Sequence, residues 1–472
     1  MNRALALSLL AFSACAVGPK YQRPRVEVPK EHRFATVKEA ASIADLPWWE
    51  FFKDPALQRL IAEALERNQD LLLAAARVEE FRALSGVAKA DFYPQVAAQA
   101  GGGYGQPFSK QIVPGTPQSG RFTLSASVFW ELDLWGRVRN QSAAAMADLL
   151  ATEEGRRGVV LSLVSSVAQA YVDLRELDLE LEVSRANTAT RQGTLDLFEK
   201  RARGGVASDL EVNQARADLA FTSAAIPLTE RLIALKENEM AVLLGRPPGP
   251  VDRGATLVDA PVVPELPAGV PASLLERRPD LLAAEQQVVA ATARVGVAVA
   301  NRLPQLSLSG LIGLDARNVP DAFTPDALLW NVGAGLLAPI FQGGRLSSEE
   351  EAARARLEQA AAAWRKAVQV ALGEVSGAAV SVVKLKAARL EQEKQVKATR
   401  ESTRLALLRY QGGVSSYLEV LDAQRQQFDA ELQLARTRGS ELASVVLLYR
   451  SLGGGWQEKP QPATASAPAA KP

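Results

Sequence analysis

The strongest constraint on this chain is that it is written twice. The run Leu65-Glu66-Arg67-Asn68-Gln69-Asp70-Leu71-Leu72 lines up with Leu275-Glu276-Arg277-Arg278-Pro279-Asp280-Leu281-Leu282, and with the same offset Pro94-Gln95-Val96 meets Pro304-Gln305-Leu306. Further on, Gly136-Arg137-Val138 meets Gly344-Arg345-Leu346. Gly204-Gly205-Val206-Ala207-Ser208 then meets Gly412-Gly413-Val414-Ser415-Ser416, and Leu244-Gly245 meets Leu452-Gly453. Anchors that keep their order over so much chain mark a tandem duplication. The 472 residues, which length alone would divide into about three domains, become two similar units of about 210 residues each.

Each unit repeats one order of elements. A helical segment comes first, at 55–89 and 271–300. Two alternating segments follow, about 95–135 and 304–341, separated by a Gly/Pro-rich loop. A very long helical stretch runs over 138–202 and 346–411. It breaks at Gly204-Gly205 or Gly412-Gly413, and a return helix runs to Gly245 or Gly453. Val160, Val164, Val167, Tyr171, Leu174 and Leu181 keep a three/four spacing, which is one narrow apolar seam. A helix near 65 residues is about 95 Å long. Average globular helices have about 11–12 residues, so this one belongs to a coiled-coil assembly. Pro227 should kink or break the first return helix.

Composition excludes several chemistries. Lys and Arg number 54 against 53 Asp and Glu, a net charge of +1. Nucleic-acid binding needs a clear basic surplus, so that partner is not expected. One Cys and one His (His32) leave no disulfide framework, Cys-based metal cluster or triad, and no cofactor, metal or enzymatic activity is expected. No apolar run approaches the roughly 20 residues a spanning helix needs, which argues against a polytopic inner-membrane protein.

The start, MNRALALSLLAFSAC, has a basic Arg3, a short apolar run and small residues before Cys15. It reads as an export signal over 1–14. Phe12-Ser13-Ala14-Cys15 resembles a bacterial lipobox, with Phe12 where Leu is usual. Cys15 would then be the lipidated first residue, since a lone free thiol is a liability in an oxidising compartment. Ordinary cleavage nearby is the other reading. Ala16, not Asp, follows the Cys, which is compatible with the outer membrane.

The alternating segments carry the second constraint. In Phe122-Thr123-Leu124-Ser125-Ala126-Ser127-Val128-Phe129-Trp130-Glu131-Leu132-Asp133-Leu134, even positions are apolar and most odd ones polar. Residues 330–336 do the same with small residues on the inner face; Leu306, Leu308 and Ile312 alternate with Ser307 and Ser309. The 96–104 segment is the weakest, being rich in Ala and Gly. Segments of about 10 residues with this dyad repeat fit a transmembrane β-barrel, with Trp130, Trp135 and Trp330 as aromatic-girdle candidates. A soluble antiparallel sheet with one dry face is the commoner alternative, which the export signal disfavours. Four strands cannot close a barrel, since about eight is the minimum, and open edges are not tolerated in lipid. Two copies would give a filled eight-stranded barrel. Three give twelve strands and room for a channel, which suits the Ser, Gly and Asn inner face better.

With these residues in view, the chain resembles the TolC-like outer-membrane efflux proteins, and more narrowly the NodT-type lipoproteins that serve RND pumps. The motifs are Cys15-Ala16-Val17-Gly18-Pro19-Lys20-Tyr21-Gln22-Arg23-Pro24, Trp48-Trp49-Glu50-Phe51-Phe52-Lys53-Asp54-Pro55, Ala90-Asp91-Phe92-Tyr93-Pro94-Gln95, Glu131-Leu132-Asp133-Leu134-Trp135-Gly136, Pro339-Ile340-Phe341-Gln342-Gly343-Gly344-Arg345, and Tyr410-Gln411-Gly412-Gly413 followed by 417–425. The resemblance implies a mixed α and β membrane protein: a homotrimer with a twelve-stranded outer-membrane β-barrel, four strands per chain, continued by a long periplasmic α-helical barrel. The division it suggests is a signal at 1–14, an N-terminal equatorial segment at 15–55, repeats at 56–245 and 271–453, a linker at 246–270 and a disordered Pro/Ala-rich tail at 454–472. It implies a passive, gated exit duct for small molecules, partnered by a periplasmic adaptor and, through it, an inner-membrane RND pump.

Gly204, Gly205 and Ser208, with Gly412, Gly413 and Ser416, form the helix tips. Gly permits the positive φ of a reversal, and each Ser is placed to cap a return helix. That these tips dock the adaptor is what the resemblance implies. It also carries the periplasmic gate onto Arg409, Tyr410, Leu418, Asp422 and Arg425: Leu418 as the apolar constriction, Asp422 as the charged ring, and Arg409, Tyr410 and Arg425 as suppliers of holding bonds. Gln214 stands opposite Asp422 in the first copy, so only one Asp ring forms there. From the residues alone, Asp422 and Arg425 could equally be a solvated i,i+3 pair. An outer-membrane component of type I protein secretion and an anchored coiled-coil scaffold without a pore remain alternatives. The exported compound is not legible.

Overall fold

The computed structural model describes residues 16–29, 43–105, 119–254, 256–257 and 273–456. The signal segment, Cys15, His32, most of the 246–270 linker and the tail beyond Trp456 lie outside the described residues. The long elements are α1 (Pro55–Arg67), α2 (Gln69–Ala90), β1 (Gln95–Gly105), β2 (Ser119–Leu132), α3 (Arg137–Arg203) and α4 (Asp209–Leu243), then α5 (Pro279–Ala300), β3 (Gln305–Ala316), β4 (Leu328–Leu337), α6 (Arg345–Gln411) and α7 (Tyr417–Ser451). The duplication is visible in the lengths. α2 and α5 have 22 residues each, α3 and α6 have 67, and α4 and α7 have 35.

The chain divides into two compact units. One comprises Met1–Arg25, Ala76–Glu153 and Ala283–Lys366 and holds the sheet. Its strands run in the order β1-β2-β3-β4, every pair antiparallel. The register brings Val96 opposite Val128, Ala126 opposite Ile312, and Ile312 in turn opposite Trp330. Side chains alternate along a strand, so these pairings gather the even-numbered residues of all four strands on one face. That face is apolar: Leu124, Val128, Leu308, Leu314, Val332 and Leu336 belong to it. The other face carries Gln99, Thr123, Ser125, Ser127, Ser307 and Ser309, with Gly101, Gly313, Gly333 and Gly335 between them and Phe129, Leu311, Leu329 and Leu337 as its large apolar members. β1, the weakest segment in sequence, is a full strand because β2 pairs with it along its length.

The first described residues are fastened to the same unit. The Val17 backbone N–H donates to the Trp135 carbonyl (2.9 Å), and Asn140 donates to the Val17 carbonyl (3.1 Å). Gly18, at φ 117°, lies so near α5 that a Cβ would come within 2.5 Å of Gly296 Cα. Tyr21 and Arg23 then both donate to Glu285, at 2.6 and 2.8 Å.

The other unit comprises Val26–Ala75, Glu154–Leu282 and Ala367–Pro472 and is helical. The expected single helices at 55–89 and 271–300 are each broken, at equivalent positions. Asn68 ends α1, caps Leu71 at the start of α2 and donates to the Leu243 carbonyl at the end of α4 (2.9 Å). Arg278, its counterpart, donates to the Ser451 carbonyl at the end of α7 (3.0 Å). These breaks supply partners for carbonyls that a helix end leaves unsatisfied. Phe51 stacks on Tyr449 with centroids 4.2 Å apart, and the Tyr449 hydroxyl donates to the Leu46 carbonyl (2.7 Å).

Pro227 does not break α4; the missing N–H removes one bond from a 35-residue ladder whose buried residues lie on both sides of it, and packing holds the helix. Order also extends past 454, because Gly454 and Gly455 lie against the Tyr449 ring and the Arg157 guanidinium sits 5.3 Å from the centre of Trp456.

Candidate functional site

Both long hairpins reverse in the same way. Val206 N–H reaches back to the Arg201 carbonyl (2.9 Å) and Gly205 N–H to that of Ala202 (2.9 Å); Val414 and Gly413 repeat this on Arg409 and Tyr410, at 3.1 and 3.0 Å. This is a Schellman closure, which needs a positive φ at the penultimate residue. Gly205 (71°) and Gly413 (73°) supply it, while Gly204 and Gly412 precede the turn.

The return helices differ at their starts. Ser208 accepts from Glu211 N–H (3.3 Å), and Glu211 accepts from the Ser208 N–H (2.8 Å), a complete capping box. Ser416 has the same extended backbone, yet its side chain makes no cap bond. The expected cap fails there because the Glu419 N–H donates to the Ser416 carbonyl instead (3.2 Å), while the Glu419 carboxylate, which would complete a box, accepts from Arg409 across the hairpin (3.0 Å). Ser208→Ala is therefore expected to cost about 1 kcal/mol of stability. Ser416→Ala should be close to neutral. Equal shifts in the thermal midpoint of the two purified variants would contradict this difference.

The gate candidates are spread over two hairpins. The Tyr410 hydroxyl donates to Glu211 (2.8 Å), tying the end of α6 to the start of α4. Burial and that carboxylate push the Tyr410 hydroxyl up to about 12. The Ser208 backbone N–H holds Glu211 below the ordinary carboxylate range, with help from Tyr410. Asp422 accepts from Gln426 (2.7 Å), and Leu418 is 64% exposed. Arg425 does not meet Asp422 as an i,i+3 pair. It turns to Asp218 of α4, at 3.6 Å. Beneath these groups Leu195, Phe198, Val212, Ala215, Tyr417 and Val420 form one apolar core. Phe198 packs 4.4 Å from Tyr417 and 5.6 Å from Tyr410, between ring centres.

Asp218 is the residue the sequence analysis missed. Its side chain is 1% exposed and lies 2.6 Å from Arg191, which is 3% exposed. Arg191 also donates to the Gln424 carbonyl (3.2 Å) and covers the Phe428 ring at 5.2 Å. Burial lowers the Arg191 pKa from its ordinary value, against the pull of Asp218. The available signal was position: Val212, Ala215, Asp218 and Thr222 share the buried seam of α4, where a lone carboxylate demands a cation. The second copy has Thr399 and Gln426 at the matching places.

Of the girdle candidates, Trp330 lies on the apolar face of β4 and is 72% exposed. Trp130 shares that face and donates to the Phe92 carbonyl (3.1 Å). Trp135 lies past the end of β2 and donates to the Pro304 carbonyl (2.7 Å), pinning the turn into α3 to the start of β3. Exposed Tyr93 just before β1 and Phe341 just after β4 occupy the same end of the sheet.

The sequence profile of the family described as outer membrane efflux protein matches residues 60–246 and again 270–454, one match for each copy. The chain is 34% identical over 464 residues to the solvent efflux pump outer membrane protein SrpC of Pseudomonas putida, covering 95% of this chain and 97% of that protein. Its fold is similar to the solved outer-membrane channel OprN, with a TM-score of 0.88 and 32% identity over 94% of this chain and all of that one. It is likewise similar to the open state of the MtrE outer membrane channel of Neisseria gonorrhoeae, with a TM-score of 0.86 and 30% identity over 95% of this chain and all of that one. A duplicated chain, matched once in each half and along nearly its whole length, belongs to the outer membrane efflux protein family.

Proposed function

We propose that this chain is the outer-membrane exit duct of a tripartite efflux system, assembled as a homotrimer and conducting small molecules passively outward. One observation carries the reading: four strands in register, apolar on one face and mostly small or polar on the other, with the outer edges of β1 and β4 unpaired among the described residues. Lipid tolerates no open edge, so the sheet is completed by other copies, and three copies give the twelve strands that leave an aqueous lumen. Uncovered apolar surface on the helices supports assembly. Leu73 and Val87 of α2, Phe221 and Leu228 of α4 and Leu405 and Leu408 of α6 are exposed in a single chain. An apolar stretch of α6 is mostly uncovered in a single chain, a surface suited to a neighbouring helix.

The tips at Gly204-Gly205 and Gly412-Gly413 receive the periplasmic adaptor in this reading, and Arg409, Tyr410, Leu418, Asp422 and Arg425 close the periplasmic end. Cys15 carries the lipid anchor. Ala16 next to it lies against Gly136, just beyond the sheet, which favours an anchor at the membrane-facing end. The test is reconstitution of the full-length protein into planar bilayers. Heat-resistant trimers with ion conductance are expected, together with labelled palmitate that Cys15→Ser no longer incorporates. Non-conducting monomers or dimers would favour an anchored scaffold instead.

A further inference from the structure

Four strands supply the lumen wall, and only three of their described residues are charged: Arg121, Glu131 and Asp315. All three lie on the polar face. Glu131 is spoken for outside the sheet, since Arg137 at the start of α3 donates to both its oxygens (2.7 and 2.7 Å). Arg121 and Asp315 meet on the wall itself, across β2 and β3. Arg121 Nε donates to one carboxylate oxygen (3.0 Å) and Nη2 to the other (2.8 Å), a two-pronged pair. Such a fork fixes direction as well as proximity.

Apart from the exposed Arg317 just past the end of β3, the surroundings of the pair are bare. Gly103 stands opposite Arg121 on β1, Gly101 stands opposite Thr123, and Thr123 in turn pairs with Asp315. Gly313, Gly333 and Gly335 continue the same face. The Arg121 side chain is 73% exposed, so the fork stands out above neighbours as small as Gly101, Gly103 and Thr123. It also lies at the loop end of the strands, away from the end where the long helices begin.

We propose that Arg121 and Asp315 form a charge-balanced ring that keeps the outer lumen indifferent to the sign of its cargo, a step that rests on the trimeric-barrel reading above. Three forks on one ring sum to zero charge, so cargo of either sign passes a wall whose charges are internally matched. Fixed charges in a narrow aqueous pore set which ion is favoured. The neutrality depends on both partners. Removing the carboxylate leaves three guanidinium groups, and removing the guanidinium leaves three carboxylates.

Full-length protein in planar bilayers under a KCl gradient tests this by reversal potential. Asp315→Asn is expected to displace it toward chloride by a several-fold permeability ratio. Arg121→Gln should displace it toward potassium. The double variant should return to the parent value, and Ser127→Ala on the same wall should leave it unmoved. Heat-resistant conducting trimers whose reversal potential is unchanged, or moves the same way in both single variants, would overturn the charge ring while leaving the duct reading intact. Parent protein that forms neither trimers nor conducting pores would overturn the duct reading and this proposal with it.

Discussion

Asp218→Ala is expected to destabilise the helical unit by about 3–5 kcal/mol, the range for removing one partner of a buried ion pair. The size follows from burial. Arg191 is 3% exposed, and without Asp218 its guanidinium keeps a backbone bond to Gln424 and the face of Phe428 but no counter-charge. Arg425 loses its partner as well, though it is 58% exposed and water can replace the contact. The measurement is the denaturation midpoint of the purified protein, with far-UV circular dichroism reporting the helices. Replacing the pair together, Asp218→Leu with Arg191→Met, should recover much of the loss, because an apolar pair of similar volume needs no counter-charge. A single variant as stable as the parent would mean that water already reaches this pair.

The second large effect is on conductance. Asp422→Ala combined with Arg425→Ala is expected to raise single-channel conductance in planar bilayers several-fold. Three copies place three Asp422 side chains near one axis, beside three exposed Leu418 side chains, in the proposed gate. Like charges on a closing axis repel unless each is hydrogen-bonded, and Gln426 supplies that bond here (2.7 Å). Arg425 holds the start of α7 to Asp218 on α4, so its removal loosens one hairpin from the other. The tie between Tyr410 and Glu211 remains in the double variant, and Tyr410→Phe added to it should open the pore further. Heat-resistant trimers whose conductance stays at the parent's low value would sink the gate assignment.

Much of this was legible because it is periodic. The duplication, the paired long helices and their Gly-Gly reversals follow from anchors and spacing, and α3 and α6 do have equal lengths. Alternation over 122–134 located β2 and named the face that carries Trp130. Where the pattern is weak, as in the Ala- and Gly-rich β1, the partner strand decided the outcome through backbone pairing. Equivalence between the copies misleads wherever a side chain has a choice of partner. Ser208 and Ser416 occupy the same place in the repeat, yet at the second the Glu419 N–H goes to the Ser416 carbonyl and its carboxylate to Arg409, so no capping box forms.

The amino-acid sequence by itself determined the repeat, the element order, the two-faced strands and the need for more than one copy, since each is set by local spacing and by what lipid and water accept. Only the tertiary structure decided which charges meet. Arg191 with Asp218, Arg425 with Asp218 rather than Asp422, Tyr410 with Glu211, and Arg121 with Asp315 join residues from different helices or strands. The physical reason is that an ion pair or a hydrogen bond is won by proximity in space among several competing partners, and periodicity along a chain gives the face a side chain occupies without naming the side chain across from it.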